Sequence, residues 1–131
     1  NVTEPNYTVS GSMTPGSVNT VSMSLPSDAG LPYITGIAYD ATTEYYLPDN
    51  RAIRVNVNDP LLTLSTSFGN PLWGYYAGTI PGPSGTVSMQ LTIPAIPQLT
   101  GLTGYFIGVT VSSAFPGSIK SIVGPQKFTI L

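Results

Sequence analysis

Glycine and proline constrain this chain more than any other feature. The sequence holds 14 Gly and 13 Pro in 131 residues, about a fifth of the whole, spread as punctuation between short runs and not gathered into one linker. A helix needs about ten residues at a 3.6-residue period without either. The best stretch for one, Asp40 to Leu47, contains Thr42, Thr43 and Tyr45 and has room for no more than one helical turn. The runs themselves alternate. Val21, Met23 and Leu25 interleave with Thr20, Ser22 and Ser24, and Val87, Met89, Leu91 and Ile93 interleave with Thr86, Ser88, Gln90 and Thr92. Period two with one apolar face predicts half-buried strands.

Further runs rich in β-branched and aromatic residues are Tyr33 to Tyr39, Ile53 to Val57, Leu61 to Leu64, Leu72 to Ile80, Leu102 to Val111 and Phe128 to Leu131. Turn sequences separate them, among them Pro15-Gly16, Pro48-Asp49-Asn50, Asn58-Asp59-Pro60, Gly69-Asn70-Pro71 and Pro116-Gly117. Seven to nine strands in one domain of this length predict an all-β fold, a two-sheet immunoglobulin-like β-sandwich. Thr20-Val21-Ser22-Met23 recurs as Thr86-Val87-Ser88-Met89, which suggests equivalent strands of the two sheets, facing each other. The expected core is Val21, Met23, Leu25, Ile34, Ile37, Ile53, Val55, Leu62, Trp73, Tyr75, Val87, Met89, Leu91, Phe106, Val109 and Phe128.

Charged residues are 8% of the chain, against roughly 25% in an average soluble protein. With no His and no Cys, the usual zinc, haem, iron–sulfur, thiol and Ser-His-Asp chemistries lack their residues. Asp40, Glu44, Asp49, Asn50, Asn56, Asn58 and Asp59 cluster in sequence, but their spacing matches no calcium loop, and Asp and Asn beside Pro are turn formers in their own right. Asp40 with Glu44, and Ser118 with Lys120, carry no catalytic pattern. The expectation is a non-enzyme with no cofactor and no metal. Four cations, Arg51, Arg54, Lys120 and Lys127, in a chain of net charge −2 do not supply the phosphate contacts nucleic acid requires, and no apolar run reaches the roughly 20 residues of a membrane span.

Two features point to partners. Trp73, Tyr75 and Tyr76 lie in one predicted strand and are the residues a glycan-stacking platform would use, which makes a secreted adhesive or carbohydrate-binding module the alternative reading. The other feature is the arm, residues 1–14, set before a sandwich domain of residues 15–131. In it Tyr7 and Val9 share a face, with Val2 further out, and Gly11 to Ser17 joins it to the body. An arm that leaves its own sheet fills a neighbour's groove, and repetition of that contact builds a homopolymer. A surface this poor in charge has little protection against edge pairing. Asn1-Val2-Thr3 and Asn6-Tyr7-Thr8 are acceptor sequons for glycosylation, at Asn1 and Asn6. The start at Asn1 without Met is the kind a removed secretion signal leaves, so an extracellular or cell-surface setting is expected.

From about Pro15 to the end the chain resembles β-sandwich modules of large secreted proteins of planctomycetes and related bacteria. The resemblance lies in the order of its turn and strand words: Pro15-Gly16-Ser17, Ala29-Gly30-Leu31-Pro32-Tyr33, Leu47-Pro48-Asp49-Asn50-Arg51, Asn58-Asp59-Pro60-Leu61-Leu62, Gly85 to Ile93, Pro94-Ala95-Ile96-Pro97-Gln98-Leu99-Thr100-Gly101-Leu102 and Phe128-Thr129-Ile130-Leu131. It implies a sandwich and an extracellular setting, and no catalytic residue. The arm lies outside it, and the tract Ser118 to Gln126 departs from the usual approach to the last strand. These readings together predict a structural subunit of an extracellular filament or surface layer that assembles by strand addition of the arm.

Overall fold

A computed structural model describes residues 7–40, 42–56, 58–67, 72–74 and 76–131. Two four-stranded antiparallel sheets face each other. The first has the order β1-β2-β8-β6, from Thr8–Ser10, Val18–Ser24, Thr86–Thr92 and Trp73–Gly74; the second has the order β10-β9-β3-β7, from Ile119–Thr129, Thr103–Val111, Pro32–Ala38 and Ala77–Thr79. A two-stranded ribbon, β4 (Tyr45–Tyr46) with β5 (Ala52–Ile53), brings the described strands to ten. The all-β sandwich expected from the alternating runs is the observed architecture, with the ribbon as the addition.

The alternation works as the period-two rule requires. Asn19, Val21 and Met23 of β2, and Val87, Met89 and Leu91 of β8, point between the sheets and are buried. The two Thr-Val-Ser-Met strands do not face each other across the sandwich. They are antiparallel neighbours in one sheet, Val21 opposite Met89, Ser22 opposite Ser88 and Met23 opposite Val87, with the two Ser hydroxyls 3.2 Å apart. Phe106, fully buried on β9, is the hub of the interior. Trp73 stacks on it at 5.7 Å between ring centroids, Phe128 at 4.6 Å, and Tyr7 leans on it at 5.4 Å.

The one α-helix among the described residues, α1 (Pro60–Ser65), stands where the sequence suggested a strand over Leu61 to Leu64, and the Asp40 to Leu47 stretch has no helical turn among its described residues. The Asn58-Asp59-Pro60 turn is the cause. Buried Asp59 is the N-cap, its carboxylate accepting the N–H groups of Leu61 and Leu62, while its other oxygen accepts those of Tyr39 and Asp40. Pro60 supplies the first-turn φ. The helix also covers an exposed flank of β3. Beyond Ile34 no strand among the described residues pairs that side of β3, and there the Ser65 hydroxyl accepts the Ile37 N–H at 3.0 Å and donates to the Ile37 carbonyl at 3.2 Å. Ile107, Ala38 and Val55 make a second apolar cluster under the helix and ribbon, on the outer face of the second sheet.

Of the expected core, Ile34 is 45% exposed, and Ile53, Leu62, Val109 and Phe128 are half-buried. Tyr75 lies outside the described residues. Met13, Tyr33, Ile80 and Val123 are buried core members absent from the expected core, as are Tyr7, read as an arm anchor, and Ile93, the last apolar residue of the second alternating run.

Candidate functional site

The first sheet ends at β1 and the second at β10, so one side of the sandwich is a gap between two edge strands. The start of the described chain closes it. Thr8, Val9 and Ser10 pair with Ser22, Val21 and Thr20 of β2. Tyr7, one residue before, turns its ring between the sheets and is only 4% exposed. Its backbone is held by a side chain from β10: the Gln126 carboxamide accepts the Tyr7 N–H at 2.7 Å and donates to the Tyr7 carbonyl at 2.9 Å. A primary amide thus does for Tyr7 what a neighbouring peptide group does in a ladder. The phenol donates to the Val123 carbonyl at 3.2 Å. β10 bulges between Val123 and Gln126, which frees that carbonyl and aims that carboxamide.

The slot has the shape of a phenol ring because of Gly108. A Cβ on residue 108 would stand 2.5 Å from the Tyr7 hydroxyl and 2.9 Å from the Thr35 methyl, so only glycine leaves the ring its place. Gly108→Ala is therefore expected to cost about 1–3 kcal/mol by overpacking, measured by urea unfolding, with the β1 amides losing hydrogen-exchange protection more than those of β8.

The connection between arm and body is shorter than the sequence suggested. Of the Gly11 to Ser17 stretch, only Gly11 and Ser12 at its start form an exposed joint. Met13 is buried, its N–H donates to the buried Asn19 carboxamide oxygen at 2.9 Å, and the Asn19 amide reaches Ser17 and the Leu91 carbonyl. Gly11 takes φ 140° and packs against the Asn19 side chain where a Cβ has no room. Residues from Met13 onward belong to the body.

Val9 is half-buried against the same core as Tyr7, so the structure brings these two expected anchors together, on the edge of their own chain's sheet. Val2, Asn1 and Asn6 lie outside the described residues. The proposed aromatic platform is not assembled at Trp73. That residue is 1% exposed, stacks on Phe106, and donates its indole N–H to the Thr35 hydroxyl at 3.2 Å, tying the two sheets together. Tyr76 is partly buried, its carbonyl accepting the Thr35 N–H, and Tyr75 is not among the described residues. No protein family, curated protein or solved structure matches the chain. Among the described residues, no three acidic side chains converge as a metal site would need, and no helix is long and apolar enough to cross a membrane.

Gly108, Val123 and Gln126 are the slot residues that sequence reading missed. Val123 and Gln126 are more than a hundred residues from Tyr7 along the chain.

Proposed function

We propose that this chain is a structural subunit, not an enzyme, of an extracellular filament or surface layer, in which the arm of one copy fills the slot of the next. The observation that carries this reading is the Tyr7 plug. A single aromatic side chain and one short strand close the sandwich, and a two-residue exposed joint separates them from a body that begins at Met13. Every contact the arm makes within its own chain is available between copies with nothing lost, which is the condition for strand exchange. Passed from copy to copy in one direction, the contact does not close on itself and yields a fibre. The charge content of 8% supports permanent packing over life as a free monomer.

The extracellular setting rests on the resemblance to secreted sandwich modules, and glycans at Asn1 and Asn6 belong to the same proposal. The test is particle size. The full chain is expected to form particles far larger than one subunit, seen by light scattering and electron microscopy. A chain without residues 1–10 is expected to lose them, and to accept a synthetic peptide of residues 1–11 in its empty slot. A full chain that stays a solitary particle at high concentration would overturn the reading.

A further inference from the structure

The second sheet has two edges. Tyr7 meets β10 at one of them, and β7, Ala77–Thr79, is the other. The bonds around β7 fix which of its backbone groups are left over. The Tyr76 carbonyl accepts the Thr35 N–H at 2.6 Å, the Ile80 N–H donates to the Leu31 carbonyl at 2.9 Å, and Gly78 between them stands opposite Tyr33. Residues 76, 78 and 80 thus turn their backbone groups toward β3, and by alternation Ala77 and Thr79 turn theirs away. All three residues of β7 are exposed, and no described strand pairs with its outward side. An open edge is normally guarded by a Lys, an inward charge, a proline or a bulge. Here the sequence carries no charged residue between Asp59 and Lys120, the next proline is Pro81, and β7 runs beside β3 without a register shift.

The open groups are complementary to themselves. Two β7 strands laid antiparallel about a twofold axis at Gly78 set Ala77 of each copy opposite Thr79 of the other, and each of these two pairs exchanges both of its hydrogen bonds. A register centred on Thr79 would instead set Ala77 opposite Pro81, which has no N–H to give. Apolar surface adjoins the seam. On the outer face Ala77 pairs with Ile34, which is 45% exposed, and both border a concavity of about 380 Å³ that Leu62, Tyr76 and Val109 also line. Thr79 pairs with Pro32 on that same face, so the second copy brings these two residues alongside the concavity. The contact therefore covers apolar area as well as backbone.

We propose that β7 is a docking edge for the β7 of a second copy of this chain, the two second sheets joining across Gly78 into one sheet of eight strands. This contact uses the edge opposite the arm and needs no arm, so it stands or falls separately from strand exchange. Where both operate, the one-directional arm contact builds a fibre and the twofold β7 contact ties fibres side by side.

The experiment is residue-level hydrogen exchange of the full chain from dilute to concentrated solution, with the β7 and β1 amides read separately. In a solitary copy the Ala77 and Thr79 amides face water and exchange freely, while that of Gly78, turned toward β3, is protected. Pairing is expected to slow Ala77 and Thr79 about tenfold or more as concentration rises. Ala77→Lys with Thr79→Lys sets like charges opposite each other across the seam and is expected to abolish that protection. Ala77→Lys with Thr79→Glu sets opposite charges there and is expected to restore it, in a salt-sensitive way. Both double variants change exposed positions only. Ala77 and Thr79 amides that exchange freely at every concentration would overturn the proposal, whatever the β1 amides and the particle size show. Protection that survives the Lys-Lys variant would overturn it too, since the seam would then lie elsewhere. Protection at β7 in a chain that forms no fibres would support this contact and count against the arm exchange alone.

Discussion

Tyr7→Ala is expected to lower stability by about 3–5 kcal/mol, the range for removing a fully packed aromatic side chain. The ring fills a slot shaped by Gly108, leans on Phe106 and is buried between the two sheets. Tyr7→Phe keeps the packing and loses the hydrogen bond to Val123, at a cost of about 1 kcal/mol. Urea unfolding of the two variants separates packing from hydrogen bonding. The phenol also sets an alkaline limit. Burial pushes the Tyr7 hydroxyl well above its ordinary value, so the seated ring stays protonated while a released arm ionises near pH 10. The raised value means that the contribution is complete below about pH 10 and declines as pH climbs further. Exchange of the β1 amides should therefore accelerate between pH 9 and 11 in wild type, beyond the ordinary rise of intrinsic exchange, and show no such excess in Tyr7→Phe. An equal pH response in both would refute the account of the slot.

The second large effect is expected at Asp28, which sits in the 3-10 turn Pro26–Asp28 between β2 and β3 and is 1% exposed. Its carboxylate takes a hydrogen bond from the Thr110 hydroxyl of β9 at 2.8 Å and an ion pair from Lys120 of β10 at 2.8 Å. Asp28→Ala should cost about 3 kcal/mol, because it strands the Thr110 hydroxyl and frees the link between the turn and two strands. Lys120→Met should cost less, since the ammonium is partly in water to begin with. Burial pushes the pKa of Asp28 up, but hydrogen bonds from Lys120, Ser121 and Thr110 and the charge of Lys120 outweigh it, and the carboxyl stands below the usual carboxylate range. The depressed value fixes the sign. The stabilisation is whole above about pH 5, where an unfolded Asp is ionised, and fades as pH drops below about 4. Wild type should thus lose more stability than Asp28→Ala between pH 5 and 3; parallel curves would contradict the assignment.

The strands with a strict two-residue period were legible because burial on one face imposes that period directly. Val21, Met23, Val87, Met89 and Leu91 all lie where the alternation put them. Ile34 and Ile37 were both assigned inside, yet residues three apart on a regular strand face opposite ways, and Ile37 took the interior with Tyr33 and Thr35. α1 was hidden because six residues are too few to show a helical period; its visible signals were the Asp59 cap and Pro60, which fit a turn equally well. Tyr7 was singled out as an anchor from its place in the arm. What receives it was not legible, since a carboxamide standing in for a peptide group, and a glycine vacating the volume of a hydroxyl, have no local pattern.

The neighbouring Thr-Val-Ser-Met strands carry a consequence for how this chain folds. Their pairing is a palindrome: turned about the Ser22–Ser88 dyad, the match of Val on Met is unchanged. Nothing within the Val-Ser-Met core of the repeat tells β2 whether it has met β8 or the β2 of another molecule; the discrimination at these positions begins at Thr20, which faces Gln90 in the native pair. Partner choice rests on covalent tethering, whose effective concentration is on the order of millimolar for short linkers and lower for the long connection here. Crowded refolding thus invites homotypic mispairing, and dilution favours the correct partner.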